Sequence, residues 1–167
     1  AINARPQYAA LAYYYRAEMG FKSGNIESAL LDVNKSLKQD PLNVQAHNLR
    51  GRVYTLRGNY KEAIGDLNAA ITIEGESRVT GYLYHNRAIA YIGMDDFKSA
   101  RDDCEQYIRF LRINNLPITV EDNYLLGVLQ YAADDEDGAL TSWEHLPHEE
   151  KEKIRKVVGN SNSMNQL

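Results

Sequence analysis

A single cysteine, Cys104, stands in the whole chain, so no disulfide can form within it and the fold has to rest on packing alone. Its place in an apolar pattern marks it as a buried, inert thiol. Basic residues are outnumbered: 19 Lys and Arg against 23 Asp and Glu leave a net charge of −4. That speaks against nucleic acid as a partner, because gripping a phosphate backbone needs a basic face. No apolar run approaches the roughly 18 residues that span a bilayer, so membrane insertion is not expected. Ala1 to Tyr8 lack the basic and then apolar order of a secretion signal, which suits the cytoplasm; a signal removed upstream would equally suit the periplasm or the cell exterior. There is no Gly-rich phosphate loop, no nucleophile elbow and no paired metal-ligand spacing, so neither an enzyme nor a cofactor or metal site is expected. The nearest approach, His145 and His148 beside Glu149 and Glu150, is interrupted by Pro147 and reads as a solvated turn between helices. Asp134 to Asp137 lack the spacing of a calcium loop and read as a polar turn.

What the chain does have is a period. Ala29, Ala63, Ala100 and Ala139 follow one another at intervals of 34, 37 and 39 residues. Each stands twelve residues after a small residue: Ala17, Gly51, Ala88 and Gly127. On either side of Gly24-Asn25, Gly58-Asn59 and Asp95-Asp96, apolar residues fall three or four apart, the signature of two amphipathic helices joined by a tight turn. Small residues such as Gly51 and Ala63 let the two helices cross closely, while Tyr60 and Leu67 are expected to fill the gap towards the neighbouring hairpin.

The second unit, with Arg50-Gly51, Tyr54, Tyr60, Ala63 and Ala70, and the third, with Tyr84, Arg87-Ala88, Tyr91, Phe97, Ala100 and Tyr107, resemble the tetratricopeptide repeat family. The first unit, with Tyr13, Ala17, Ala29 and a closing Pro41, follows the same plan; the fourth departs, with Asn123, Leu126-Gly127, Ala139 and Trp143. The resemblance implies an all-α, right-handed α-solenoid of about four helix hairpins. The repeats are placed at 10–43, 44–77, 81–114 and 120–146 of a single domain, 1–159. A capping helix over 147–158 follows, with acids early, bases late, Gly159 as its cap and Leu146, Ile154 and Val157 covering the end of the stack. Residues 160–167 read as a disordered tail. The longer intervals locate insertions, one a loop around Gly75 to Val79. The other, around Arg112 to Thr119, extends the third unit's second helix towards Pro117.

Arg16, Arg50 and Arg87 occupy a position where the family usually carries leucine. Each is followed sixteen residues later by an aspartate, Asp32, Asp66 or Asp103, and the fourth unit has lost both members together, with Leu126 and Ser142. In antiparallel helices joined by a central turn, residues so spaced lie near one another on facing helices, within the hairpin or with the next. The column of arginines is therefore read as Arg–Asp pairs supporting the stack. Exposed pairs of this kind would contribute about 0.2–1 kcal/mol each, serving orientation more than stability.

In the family, the first helix of every unit lines a concave groove. Carried over to this chain, that face holds Leu11, Tyr14, Glu18 and Phe21, then Gln45, Asn48, Arg52 and Thr55, then Tyr82, His85, Ile89 and Ile92, and finally Glu121, Tyr124, Val128 and Tyr131. The strongest candidates for peptide contact are Tyr14, Glu18, Asn48, Arg52, Tyr82, His85, Ile89, Tyr124, Val128 and Tyr131. Tyrosines offer large contact area at low entropic cost, which suits an extended peptide or a helix of another protein. The resemblance thus implies a non-enzymatic adaptor or chaperone-like scaffold, in assembly or secretion of a larger complex; tetratricopeptide chaperones of type III secretion are similar in length. The alternative is a structural module that self-associates into a homo-oligomer, or the regulatory arm of a larger protein. One subtype is excluded: the carboxylate clamp that grips acidic chaperone tails needs lysines, asparagines and an arginine where this chain has Tyr14, Glu18, Leu49, Tyr82 and Asn86.

Overall fold

A computed structural model describes residues 6–75 and 80–158. These form nine helices in sequence, α1 (Pro6–Lys22), α2 (Ile26–Gln39), α3 (Val44–Leu56), α4 (Tyr60–Glu74), α5 (Thr80–Ile92), α6 (Phe97–Ile113), α7 (Val120–Ala132), α8 (Glu136–Trp143) and α9 (His148–Val158), and no strand among the described residues. Consecutive helices pair as hairpins, α1 with α2, α3 with α4, α5 with α6 and α7 with α8, and each hairpin packs on the next, the solenoid the period implied. The expected tail 160–167, the Gly159 cap, the Val157 side chain and the inserted loop 76–79 lie outside the described residues.

The turns show why the chain bends where it does. Gly24 and Gly58 sit at φ of +79° and +74°, and at the matching places Asp95 and Asp134 take φ of +58° and +62°. The hairpin turn demands a left-handed residue, which glycine adopts freely and aspartate tolerates better than most. The next residue opens the second helix: Asp96 accepts from the Ser99 amide, and Asp135 from the Gly138 amide. Thr119 and Asp122 form a reciprocal capping box at the start of α7.

Within each hairpin the small residues do what close approach requires. A Cβ on Gly51 would stand 2.8 Å from Leu67 Cγ, and one on Gly127 would stand 2.2 Å from Trp143 Nε1. Tyr60 reaches the following hairpin, where it occupies the space a Cβ on Gly93 would need. Leu67 lies against Gly51 of its own hairpin, where the missing side chain leaves room for it. The core is a chain of clusters: Ala17, Val33 and Leu37 with Ala46 and Leu49 between the first two hairpins, and Ala100, Cys104, Ile108 and Leu111 with Leu126 and Leu129 between the last two. Cys104 is fully buried, as expected of an inert thiol, and burial pushes its pKa up to about 12.

The second insertion lengthens α6, but only to Ile113, where Asn114 caps the helix and Asn115 turns the chain at φ of +50°. The helix stops short of Pro117 because the residue before a proline is disfavoured in α conformation and the turn is made earlier. At the far end Leu146 and Ile154 pack with Ala139 and Trp143, so α9 covers the last hairpin, and Pro147 precedes it with its carbonyl accepting from Glu150 and Lys151.

Candidate functional site

The arginine column is scaffold. Arg16, Arg50 and Arg87 each donate through Nε and Nη2 to both carboxylate oxygens of Asp32, Asp66 and Asp103, at 2.6–2.7 Å in all three hairpins. The aspartates are buried in all three pairs, while Arg50 and Arg87 are largely covered and Arg16 is largely exposed. A third bond went unforeseen: Arg50 Nη1 reaches Asn34 at 2.8 Å and Arg87 Nη1 reaches Asn68 at 2.6 Å, both on the preceding hairpin. Each asparagine stands two residues after an aspartate, in Asp32-Val33-Asn34 and Asp66-Leu67-Asn68, a repeat visible in the sequence once the pairing is known. Where the fourth unit lacks the pair, Ser142 donates to Gln130 at 2.6 Å instead. His47 joins the second pair, its Nδ1 2.9 Å from Asp66 and its Nε2 3.0 Å from the Pro41 carbonyl, a packing role.

The first helices of the hairpins, α1, α3, α5 and α7, leave their candidate residues uncovered to different degrees. Arg52, Tyr82, Ile89, Tyr124 and Val128 are exposed, and Tyr14, Glu18, Asn48, His85 and Tyr131 are half-buried. None of the ten is sealed in the core. Across hairpins, Asn86 Nδ2 donates to Asn48 Oδ1 at 2.8 Å, tying α5 to α3, and the Arg52 guanidinium lies 4.5 Å from the centre of the Phe21 ring, tying α3 to α1. Between them a hollow of about 250 Å³ is lined by Phe21, Arg52, Thr55, Leu56, Asn86 and Ile89. Leu56 and Asn86 were not among the groove residues read from the sequence. Leu56 closes its helix and so falls beyond the face counted from the family pattern, while Asn86 sits at the edge of that face.

The aromatic candidates are partly committed to packing. The Tyr82 ring meets Phe110 edge-on at 5.4 Å and Tyr107 at 6.0 Å, and Tyr131 lies 6.2 Å from Trp143. His85 sits 4.6 Å from the Tyr107 ring; burial holds its pKa below the ordinary histidine value, opposed by Asp122 of α7, so the ring is neutral at pH 7. Burial raises the Tyr14 hydroxyl above its usual value, with Glu18 adding to the effect. His145 and His148 are exposed, and no group of three or more His, Cys, Asp or Glu that could hold a metal ion occurs among the described residues. No helix among them is long and apolar enough to cross a membrane.

Stacked hairpins with an open face built from their first helices define the class: a helical-repeat solenoid. The sequence model of the family described as Tetratricopeptide repeat matches residues 21–77, and the same hairpin continues through α5–α6 and α7–α8. Residues 21–77 are thus similar to tetratricopeptide repeats, and the other hairpins share their fold. The Caenorhabditis elegans stress-induced-phosphoprotein 1 is 26% identical over 107 residues, 60% of this chain and 32% of that protein, so the chain spans about a third of the length of its curated relative. Among solved structures, MamA from Desulfovibrio magneticus RS-1 superposes with a TM-score of 0.69 at 18% identity, covering 81% of this chain and 72% of that one. The first repeat domain of Spaghetti (RPAP3), bound to the HSP90 peptide SRMEEVD, superposes at 0.67 and 21% identity, covering 77% and 95%. At these identities the likeness is one of fold.

Proposed function

We propose that this chain is a non-enzymatic adaptor, or chaperone-like scaffold, that holds an extended peptide or a helix of another protein along the face made by α1, α3, α5 and α7. Tetratricopeptide repeat proteins mediate protein–protein interaction, and one structural neighbour, the first repeat domain of Spaghetti, is bound to an HSP90 peptide. The observation that carries the reading is the row of accessible apolar and aromatic groups across successive hairpins, Tyr14, Ile89, Tyr82, Tyr124 and Val128, interrupted by the polar bridge of Asn48, Asn86 and Arg52. Rings anchor contact area and the amides and guanidinium offer bonds to a peptide backbone, the usual division of labour in peptide recognition.

Recognition of an acidic chaperone tail through a carboxylate clamp does not fit. Two of the clamp places hold tyrosine, one holds Glu18, whose charge repels a carboxylate, and another holds Leu49, which is buried between α2 and α3. We extend the proposal to a role in assembly or secretion of a larger complex, which would use this kind of grip on an apolar segment. The test is capture of partners from extract by the wild type and by a Tyr14→Ala, Tyr82→Ala, Tyr124→Ala variant. Loss of the captured proteins with helical content unchanged supports the groove; the same set on both proteins refutes it.

A further inference from the structure

Charge is unevenly spread along the open face. The hairpins α1–α2, α3–α4 and α5–α6 carry four, four and five Lys and Arg residues, whereas residues 120–143, which make α7 and α8, carry six Asp and Glu and no base. Bases on the neighbouring helices are taken up by other acids: Arg101 of α6 by Asp102 and Glu105, and Lys153 and Arg155 of α9 by Glu149, Glu150 and Glu152. Among the described residues no base pairs with Glu121, Asp122, Asp134, Asp135 or Asp137. These acids frame an apolar stripe. Tyr124 and Val128, 40% and 38% exposed, follow Glu121 on one side of α7 at spacings of three and four residues, and Tyr131 continues the row to the turn. There Tyr131 and residues Asp134 to Asp137 line an open hollow of about 470 Å³. The hollow between Phe21 and Ile89 has the opposite sign, because Arg52 stacks on Phe21 there and stands in no ion pair among the described residues.

We propose, resting on the groove reading, that the captured segment is extended and is basic where it crosses the fourth hairpin. Its Lys or Arg side chains lay their stems on Tyr124 and Val128 and set their cations against Glu121 on one side and against the acidic turn beside Tyr131 on the other. Acids alone would attract any cation; the apolar stripe between them selects a long side chain with an apolar stem and a charged tip, and the rings favour a cation over their faces. An acidic segment meets like charge along the whole of α7. Arg52 repels a second cation at the other hollow, so an apolar side chain of the same segment belongs there, and the segment runs in one direction only. Packed helices lie about 8–10 Å apart, which puts that hollow, against α3 and α5, about 10–20 Å from α7. An extended chain covers this in about three to six residues. The occupant is therefore a segment with an aliphatic or aromatic residue and, three to six residues to one side of it, Lys or Arg.

The probes are peptides selected from a random linear library, one pool against the wild type and one against a Glu121→Gln, Asp134→Asn, Asp137→Asn variant. That variant removes three charges and spares the capping carboxylates of Asp122 and Asp135; asparagine also suits the left-handed turn at residue 134, where φ is +62°. An unchanged circular dichroism spectrum checks its fold. The wild-type pool is expected to be enriched in Lys and Arg at the stated distance from an apolar residue, and the variant's pool is not. A peptide from the wild-type pool is expected to bind the charge variant about tenfold more weakly, and to lose about as much on the wild type when its basic residues become Gln. Peptides that need Tyr14, Tyr82 and Tyr124 yet carry no excess of Lys or Arg would leave the groove standing and overturn the basic preference. A basic pool that binds the wild type and the charge variant equally would also overturn it, since the cations would then lie elsewhere. Failure to select any peptide that depends on those tyrosines would overturn the groove reading, and the basic segment with it.

Discussion

Arg50 grips both carboxylate oxygens of Asp66, at 2.6 and 2.7 Å, and with its remaining nitrogen holds Asn34 of the hairpin before. One side chain therefore fixes the crossing of α3 on α4 and the seating of α3 on α2. Because Asp66 is buried, removing only the arginine leaves its carboxylate away from water without its two-point partner and with only the contact to His47. Arg50→Leu is expected to cost about 3 kcal/mol. Asp66→Ser added to it should restore a large part, since Leu126 and Ser142 are the fourth hairpin's own version of that pair. Urea denaturation of the two single variants and the double variant gives the coupling, expected at about 1–3 kcal/mol. Strict additivity would show that the pair contributes no mutual support. The equivalent change at Arg16, which is largely exposed, should cost less than at Arg50.

Two glycines should respond oppositely to the same substitution. A Cβ at Gly65 in α4 meets nothing within 4 Å, so Gly65→Ala should raise stability by about 0.5–1 kcal/mol through lower backbone entropy in the unfolded chain. A Cβ at Gly127 runs into the Trp143 ring, and Gly127→Ala should cost about 1–3 kcal/mol. Thermal melts of the two variants decide, and a fall for Gly65→Ala would contradict the packing described.

Cys104 should be silent to thiol reagents in the native protein and react fully in denaturant, because the thiolate is the reactive form and burial pushes its pKa up to about 12. The same shift links to stability. Above the ordinary value of 9.0 the unfolded thiol loses its proton while the folded one keeps it until about pH 12. Its contribution, complete below pH 9, is therefore lost as pH climbs through that window. Cys104→Ala should flatten the alkaline fall in melting temperature.

Acid should act through His85. Its folded pKa lies below the unfolded 6.5, because burial against Tyr107 disfavours the charged ring. As pH falls through 6.5 the unfolded chain takes up a proton that the folded chain still refuses, so this stabilising contribution is present above that pH and is lost below it. Between pH 7.5 and 5.5, wild type should lose more melting temperature than His85→Gln. Equal losses would mean the ring is solvated in the folded protein.

The sequence revealed most where one position constrained another. The Arg–Asp pairs were legible because Leu126 and Ser142 replace both members at once, a correlation inside a single chain that only contact explains. The third bond, to Asn34 and Asn68, was not. Those asparagines lie on exposed helix positions, where a polar residue needs no special reason, and only the geometry of the guanidinium shows which hairpin they serve. The end of α6 at Ile113 was also missed, since the apolar spacing cannot register that Asn115 adopts a left-handed turn. On the inner face, the family pattern located the accessible row but not the hollow between Phe21 and Ile89, which depends on how far Leu56 and Asn86 reach.

The central claim is that the inner face of the first helices is the surface that takes a partner's peptide. Peptides selected from a random linear library against the wild type, then titrated calorimetrically into the Tyr14→Ala, Tyr82→Ala, Tyr124→Ala variant, test it most directly. We expect binding to fall by about tenfold or more, with the circular dichroism spectrum unchanged. Affinity held within about twofold on a folded triple variant would contradict the claim.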